Sequence, residues 1–280
     1  MLISIIIPSF NSISLLPHAL ESILTQSFND FEVVIMDNCS TDGSIKLIEN
    51  YSAVDKRIQF YSEKDYGIYD AMNKGIKNAK GEWLFFMGSD DSFYDQDVLK
   101  EILPMLNLEN EVLYGDVRWM PENKMEAGEV VCEDLINRNI NHQRIFYRKS
   151  VFEKYGNLNT KYEIAADHEM NIRFFCNSNI HKIYIPLTIC NFHSGGFSAN
   201  KTDEVFWQDW DGTILKNFKS YLPKKNIYGS LGIYIRYLVG KKKYTKVMAL
   251  LCKHFVHTRS LGFVKLMLVY MLTSKTNHAG

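Results

Sequence analysis

No aspartate or glutamate occurs between Gly212 and Gly280, although the 280-residue chain carries thirty-two acidic side chains against thirty-two basic ones. The neutral total therefore conceals a split. Thirteen Lys or Arg lie in that last stretch, leaving residues 1–211 with nineteen basic and thirty-two acidic side chains. Such asymmetry points to a globular body with a segment that seeks an anionic surface. Cysteines are few: Cys39, Cys132, Cys176, Cys190 and Cys252 are odd in number, widely spaced and form no C-x-x-C pair. They announce neither a zinc site nor a disulfide framework, and reduced thiols in a cytoplasmic protein are expected. Neither G-x-G-x-x-G nor G-x-x-x-x-G-K-[ST] occurs, which removes the dinucleotide oxidoreductase and P-loop ATPase readings. No apolar run reaches the roughly 18–20 residues of a membrane-spanning helix. MLISIIIPSF has no basic leader and reads as a first strand rather than a signal peptide. Internal repeats and low-complexity segments are absent too, and 46% hydrophobic with 23% charged residues excludes wholesale disorder. At this length one large domain with an appendage is expected.

What is present is an alternation of two periods over the first hundred residues. LISIII (2–7), FEVVIM (31–36), RIQFYS (57–62) and EWLFFM (82–87) are strand-like runs. Between them, 14–26, 44–50 and 68–79 have helical patterning, the first with Leu15, Ala19, Ile23 and Leu24 on one stripe. Strand–helix alternation implies a mostly parallel sheet with helices on both faces, which binds ligands beyond the carboxyl ends of its strands. Polar residues gather at those ends: Pro8, Ser9 and Asn11 after the first strand, Asp37 after the second, Glu63 and Asp65 after the third, Asp90 and Asp91 after the fourth. Each alone fits a turn or a helix cap; together they describe a crevice lined with carboxylates. Further on, EVLYGDV (111–117) and EVVCEDL (129–135) pattern as strands, and HQRIFYRKSVFEKYG joins a strand to a short helix. Residues 165–177 pattern as a helix with Ala166, Met170 and Phe174 inward, and HKIYIPLTICNF (181–192) as a strand pair broken at Pro186. From about Thr202 helix is expected, punctuated by KKN and GKKK.

A pair of adjacent carboxylates suits a hard cation, because Mg²⁺ or Mn²⁺ is commonly held by one or two carboxylates with waters and substrate phosphates completing the shell. Gly88 and Ser89 beside the pair leave room for a close approach, and the plain structural alternative is a cap on a helix starting near Asp95.

IIIPSFN, VVIMDNCSTDGS, EKDYGIYDAMNKGIKNAKGEWLFFMGSDD and NHQRIFYRKSVFEKYGNLNTKYEIAADHEMNIRFF, in that order and spacing over about residues 1–200, closely resemble family 2 glycosyltransferases of the GT-A fold. The group that builds colanic acid and similar bacterial surface polysaccharides is the nearest in look. The resemblance implies a Rossmann-like, mostly parallel sheet flanked by helices over residues 1–201, and an inverting, metal-dependent transfer from a nucleotide-sugar, in the first instance a UDP-sugar. Pro8, Ser9, Asn11, Asp37 and Asp65 would then hold the nucleotide, with Asp37 accepting the uracil N–H. Ser89-Asp90-Asp91 takes the place of the DxD motif, Asp90 toward the ribose and Asp91 on Mn²⁺ or Mg²⁺. Asp167 stands where the family keeps its catalytic base, with Ala166 in place of an acidic neighbour. His193 is a candidate metal or diphosphate ligand, Gly195 and Gly196 a loop closing over the donor, and His142 a contact to donor or acceptor. Arg173 is expected to pair with a carboxylate. A nucleotidyltransferase would need a Gly- and Arg-rich loop where this chain has PSFNS, and the remaining alternative is a catalytically degenerate sugar-nucleotide-binding scaffold.

The segment 202–280 interleaves its basic residues with apolar runs, the last being LGFVKLMLVYML. Helices lying in the interface of an anionic leaflet fit that pattern. The expectation is an extension that brings the active site to a lipid-linked glycan acceptor on the inner face of the cytoplasmic membrane. No nucleic-acid recognition motif accompanies the charge, and a helical oligomerisation face is a further reading of the same segment.

Overall fold

The computed structural model describes residues 1–107, 109–136, 138–195, 202–210, 232, 234–258 and 265. Two compact units emerge, one from Met1–Val130 with Asn139–Asp203, the other from Val131–Arg138 with Glu204–Gly280.

The first unit begins with the expected alternation. Strands β1 (Ile3–Ser9), β2 (Phe31–Asp37), β3 (Ile58–Ser62) and β4 (Trp83–Phe86) run parallel in the order β3-β2-β1-β4. Helices α1 (Leu16–Leu24), α2 (Ser44–Val54) and α3 (Ile68–Asn78) make the crossovers. Residues of β1 alternate between two covered faces. Ile3, Ile5 and Ile7 enter a core shared with Leu16, Leu20 and Ile23 of α1 and Ile48 of α2. Ile6 points the other way, where a side chain on Gly75 of α3 would come within 2.3 Å of it. Burial on both faces is why these strands read as continuous β-branched runs rather than alternating ones. Of the expected α1 stripe, Ala19 and Ile23 are buried, but Leu16 and Leu20 complete the buried face and Leu15 is exposed, because the helix starts at Leu16 with Pro17 in its first turn.

Beyond β4 the sheet becomes mixed. β5 (Ser92–Phe93), β6 (Val112–Met120), β7 (Lys124–Glu126), β8 (Ile145–Arg148) and β9 (Lys182–His193) complete the order β4-β8-β6-β9-β5, with β7 on β6. β8 is antiparallel to both β4 and β6. Two expectations fail here. Residues 129–135 form no strand; the hairpin partner of β6 is Lys124–Glu126, and Asp134–Ile136 is a 3-10 turn. Pro186 does not break β9, which runs through it as a single strand beside a register shift opposite Tyr114–Val117. A bulge lets a proline sit in a strand without leaving a ladder bond unmade. A third expectation fails at two cysteines, since Cys132 and Cys176 are disulfide-bonded while Cys39, Cys190 and Cys252 are free.

Helix α4 (Val98–Ile102) follows β5. α5 (Lys149–Tyr155) and α6 (Ala166–Phe175) pack an aromatic cluster, Phe152 and Phe174 edge-on to Tyr147 of β8 at 5.4 and 6.0 Å. Ala166, Met170 and Phe174 are buried as expected, but so are Asp167, Glu169 and Asn171, so α6 is enclosed well beyond one stripe. Arg173 pairs with Glu169 at 3.0 Å and holds the carbonyls of Tyr155, Gly156 and Asn157.

The second unit contains helix α7 (Glu204–Asp209), a helical stretch over 234–240 and helix α8 (Tyr244–Thr258). The break at 241–243 falls on the expected GKKK. Trp207 stacks on Tyr237 at 5.4 Å, and Lys241 and Lys243 reach Glu204. Among the described residues no helix is long and apolar enough to cross a membrane. The last apolar run falls, apart from Lys265, outside the described residues.

One buried cation ties the mixed half of the sheet together. Arg144 donates to the carbonyls of Gly115 and Gly128 and pairs with Glu126 at 3.3 Å and Asp116 at 3.7 Å, its side chain 0% exposed. Removing one member of such a group strands the others in a poorly solvated place, which costs about 3–5 kcal/mol. Arg144→Met is therefore expected to lose about that much stability in chemical denaturation; an unchanged midpoint would contradict the structural role.

Candidate active site

The parallel ladder sets Ser9, Asp37 and Ser62 side by side at the carboxyl ends of three strands. Asp37 is buried and its carboxylate is already held: Ser40 donates from both N–H and hydroxyl, and the Ser62 hydroxyl donates to Oδ2 at 2.8 Å. A carboxylate has about four acceptor positions, so one remains for a ligand donor. Asn11, in the left-handed region at φ 46°, clamps the loop after β1 onto the loop after β2. Its N–H donates to Ser40 Oγ at 2.8 Å and its Oδ1 accepts from Thr41 N–H at 2.9 Å. Asn38, which follows Asp37, accepts the Asp65 N–H through Oδ1, and Asp65 in turn accepts the Gly67 N–H. Burial pushes the Asp65 carboxyl above its ordinary value, against the Gly67 N–H and Lys74. Pro8, Ser9, Asn11, Asp37 and Asp65 thus fall on neighbouring strand ends and the loops that join them to their helices.

The turn after β4 separates the two adjacent carboxylates. Asp90 lines two cavities, whereas Asp91 is 1% exposed and turned inward. Asp91 Oδ1 accepts the His193 N–H at 2.9 Å, and Oδ2 accepts from Gln143 Nε2 at 2.9 Å and the Gly88 N–H at 3.2 Å. The helix expected near Asp95 begins at Val98 without a side-chain cap, and Asp91 bonds to His193, Gln143 and Gly88 instead, which removes the capping alternative. Burial and the charge of Asp90 push the Asp91 carboxyl up to about 6 despite those donors. The space beside Gly88 is filled by these carboxylates, because a Cβ there would meet Asp91 Oδ2 at 2.6 Å and Asp90 Oδ1 at 2.7 Å. Displacing catalytic groups by about 1 Å can cost on the order of 10²-fold in rate. Gly88→Ala is expected to fold normally and to lose that much activity, and near-normal turnover would show that the turn tolerates the shift.

Asp167 sits in the first turn of α6 with donors around both oxygens. Oδ1 faces the Tyr69 hydroxyl at 2.9 Å, whose proton is shared with the Ile164 carbonyl, and the His168 N–H at 2.8 Å. Oδ2 accepts from Asn139 Nδ2 at 2.8 Å and lies 3.3 Å from His142 Nδ1. Burial pushes the carboxyl up, but the bond and charge of His142 with the Tyr69 hydroxyl outweigh it and hold Asp167 below the ordinary carboxylate range. The 3-10 turn His142–Arg144 sends three consecutive side chains to three places: His142 to Asp167, Gln143 to Asp91, Arg144 into the sheet.

One cavity of about 450 Å³ has Pro8, Asp90, His142, Asp167 and His193 on its wall, while Ser9, Asn11, Asp37, Asp65 and Asp91 do not line it. Its apolar side includes Trp119 and Phe192, packed edge to face at 4.7 Å. Gly195 lines a second cavity of about 440 Å³ that shares Asp90 and His193, while Gly196 lies outside the described residues. Tyr69, Asn139, Gln143, Trp119 and Phe192 are site residues that sequence reasoning missed. Gln143, beside His142, and Phe192, beside His193, stood next to residues already singled out.

As to a metal, His193 Nδ1 is buried with no hydrogen-bond partner, next to two carboxylates of which one is held reluctantly charged. The carboxylates are what suit Mn²⁺ or Mg²⁺; an imidazole nitrogen selects neither by itself. Among the described residues no three His, Cys, Asp or Glu side chains already form a cage, so substrate phosphates and waters would complete the shell.

Residues 4–164 match the model of glycosyl transferase family 2. The PGL/p-HBAD biosynthesis glycosyltransferase Rv2957 of Mycobacterium tuberculosis H37Rv is 36% identical over 208 residues, 72% of this chain and 81% of that protein. An uncharacterized glycosyltransferase of Haemophilus influenzae is 28% identical over 207 residues, 69% of each chain. Among solved structures, S. aureus TarS 1–349 in complex with UDP superposes at a TM-score of 0.67 with 19% identity, covering 86% of this chain and 72% of that one. Against another TarS structure the chain spans 43% of the solved length. The mannosyltransferase PcManGT of Pyrobaculum calidifontis, in complex with GDP-Man and Mn²⁺, superposes at 0.56 with 14% identity, covering 98% and 85%. The mixed sheet with its flanking helices is the GT-A fold of those neighbours. On the span of the family match and the mycobacterial identity, the chain belongs to the family 2 glycosyltransferases and is a glycosyltransferase.

Proposed function

We propose that the protein transfers a sugar from a UDP-sugar, with inversion at the anomeric carbon, to a hydroxyl of a growing, lipid-linked bacterial surface glycan such as capsule, O-antigen or exopolysaccharide. The observation that carries the reading is the single cavity on which Pro8, Asp90, His193, His142 and Asp167 converge. The neighbour solved with UDP supports a uridine donor, and the free acceptor position on Asp37 suits the ring N–H of uracil. Ser9 and Asn11 shape the loop beside it, Asp65 fixes the loop after β3, and Asp90 is placed for the ribose and diphosphate end. Asp91 and His193 would hold Mn²⁺ or Mg²⁺, which when bound stabilises the charge of the departing diphosphate. Asp167, on the wall of the same cavity, takes the acceptor proton as general base. A single displacement needs no second carboxylic acid, because the nucleoside diphosphate leaves as an anion, unlike the leaving group of a glycosidase.

The acidic body at residues 1–201 and the basic segment at 202–280 are taken as two domains, the second holding the enzyme peripherally on the inner face of the cytoplasmic membrane. Within it, residues 212–280 hold thirteen basic residues and no acidic one, which supports attraction to an anionic leaflet. The experiment is a thermal-shift and calorimetric screen of the full chain against UDP, GDP, UDP-sugars and GDP-sugars, each with and without Mn²⁺. Stabilisation by UDP and its sugars, enlarged by Mn²⁺, is expected. Preference for GDP, or indifference to every nucleotide, contradicts the donor assignment.

A further inference from the structure

We propose that Asp203 is a positioning residue for the general base: its carboxylate grips the backbone ahead of α6 and so fixes where Asp167 stands on the cavity wall. The inference rests on the reading of Asp167 as the base and concerns what holds that base in place. Asp203 is the last residue of the first unit, 8% exposed, and does not line the cavity.

The need for such a group starts in the sequence. α6 opens after Ala165, whose methyl side chain has no acceptor to offer, and no side-chain cap is made there. The N–H groups that lead into the helix therefore need an acceptor from elsewhere. Asp203 supplies it from thirty-nine positions along the chain. Its Oδ2 accepts the Ile164 N–H at 2.9 Å and the Ala165 N–H at 3.2 Å. A carboxylate makes such bonds about twice as strong as a neutral acceptor does, and it also meets the positive end of the helix dipole.

The same peptide is held on its other edge by α3, because the Ile164 carbonyl accepts the Tyr69 hydroxyl at 2.5 Å. The Ile164 carbonyl and the Ala165 N–H belong to one planar peptide unit. With Tyr69 on one side and Asp203 on the other, its rotation is blocked. The next carbonyl, that of Ala165, accepts the Glu169 N–H at 3.0 Å and starts the first turn of α6, in which Asp167 sits. The braced peptide thus sets the origin and direction of the turn that carries the base. Ile164 and Ala165 line the cavity themselves, so slack in the brace opens at the reaction site. Asp203 also directly precedes α7, where a helix cap would stand. A cap serves the helix that follows it, whereas these two bonds run back to α6.

The test uses the full chain with Mn²⁺ and UDP-glucose, UDP-galactose and UDP-N-acetylglucosamine, water as acceptor, read as UDP release, beside amide hydrogen exchange. Asp203→Ala is expected to lower kcat by about 10–10²-fold, to bind UDP as the unaltered protein does, and to speed exchange at Ile164 and Ala165. Asp203→Asn, whose carbonyl oxygen can still accept both N–H groups, is expected to stay within about fivefold of normal with exchange slow. Placed on Asp167→Asn, Asp203→Ala is expected to cost less than about twofold more, since a base that is gone cannot be displaced. Asp203→Ser, one atom shorter and still polar, answers the same question if the alanine variant does not fold. A plain cap on α7 would lower the unfolding midpoint and leave both kcat and exchange at 164–165 alone, which overturns the proposal. So does an asparagine variant as slow as the alanine one, or a full second loss on Asp167→Asn. Failure of the underlying reading looks different: the unaltered protein releases UDP from none of the three donors, or Asp167→Asn releases it at a near-normal rate, and the role of Asp203 falls with that of Asp167.

Discussion

Asp167→Asn is expected to lower kcat by about 10³–10⁴-fold while UDP binding and folding persist. The magnitude follows from two losses at once. Asparagine presents an N–H₂ on one side, so one of the two donor pairs around Asp167 must face another donor. Whichever way the amide turns, either Asn139 and His142 or Tyr69 and the His168 N–H lose their acceptor. The carboxylate that takes the acceptor proton also becomes an amide, which cannot. A carboxylate that only capped α6 would behave differently. Replacing a cap costs about 0.5–2 kcal/mol of stability, and the rate would change little in the folded protein. Single-turnover transfer and calorimetric UDP binding on the same preparation distinguish the two, and transfer within tenfold of normal would mean that Asp167 has no part in the chemistry.

Residues that read clearly in the sequence are those whose cause is local. Ile3–Ser9 and Phe31–Asp37 are apolar on both faces because helices cover both, so their identity as strands could be read from composition. Their polar ends had to lie at one edge of the sheet once they ran parallel. That argument reaches Ser9, Asp37 and Asp90. It does not reach Tyr69 or Gln143, whose roles depend on which residue stands opposite after folding: Tyr69 meets Asp167 ninety-eight positions away and Gln143 meets Asp91 across fifty-two. A tyrosine in an amphipathic helix and a glutamine before an arginine look ordinary in sequence. The same limit explains 129–135, where an alternating pattern competed with Lys124–Glu126 for β6 and lost to the shorter connection. Asp90 and Asp91 illustrate the boundary most clearly. Adjacency in sequence marked the pair, but only the fold sends one to the cavity and turns the other inward to gather Gln143, Gly88 and His193.

That inward turn gives Asp91 a testable signature. Its carboxyl is pushed up from 3.8 to about 6 by burial and by Asp90, so without a cation its charge is a liability. The sign follows from linkage. Between the unfolded value and about pH 6 the folded state binds more protons than the unfolded one, so this group makes stability rise as pH falls from 6 to 4. Two pH units correspond to roughly 3 kcal/mol at most. Asp91→Asn is expected to abolish that rise, read as the difference between the two proteins in denaturation curves across pH 4–7.5. A divalent cation reverses the balance by favouring the charged form. Mn²⁺ is therefore expected to stabilise the unaltered protein in the presence of UDP more at pH 7 than at pH 5, and to release protons on binding below about pH 6. With Asp91→Asn the Mn²⁺ effect disappears and transfer falls by about 10²–10³-fold, the size of removing one group that stabilises developing charge. Asp90→Asn separates the two roles. Asp90 borders the cavity, so its loss weakens UDP binding and, by removing the like charge beside Asp91, lowers the pH at which the acid-side rise begins. If Asp91→Asn keeps both the pH-dependent rise and full Mn²⁺ dependence, the cation is held elsewhere and Asp91 serves only to close the turn.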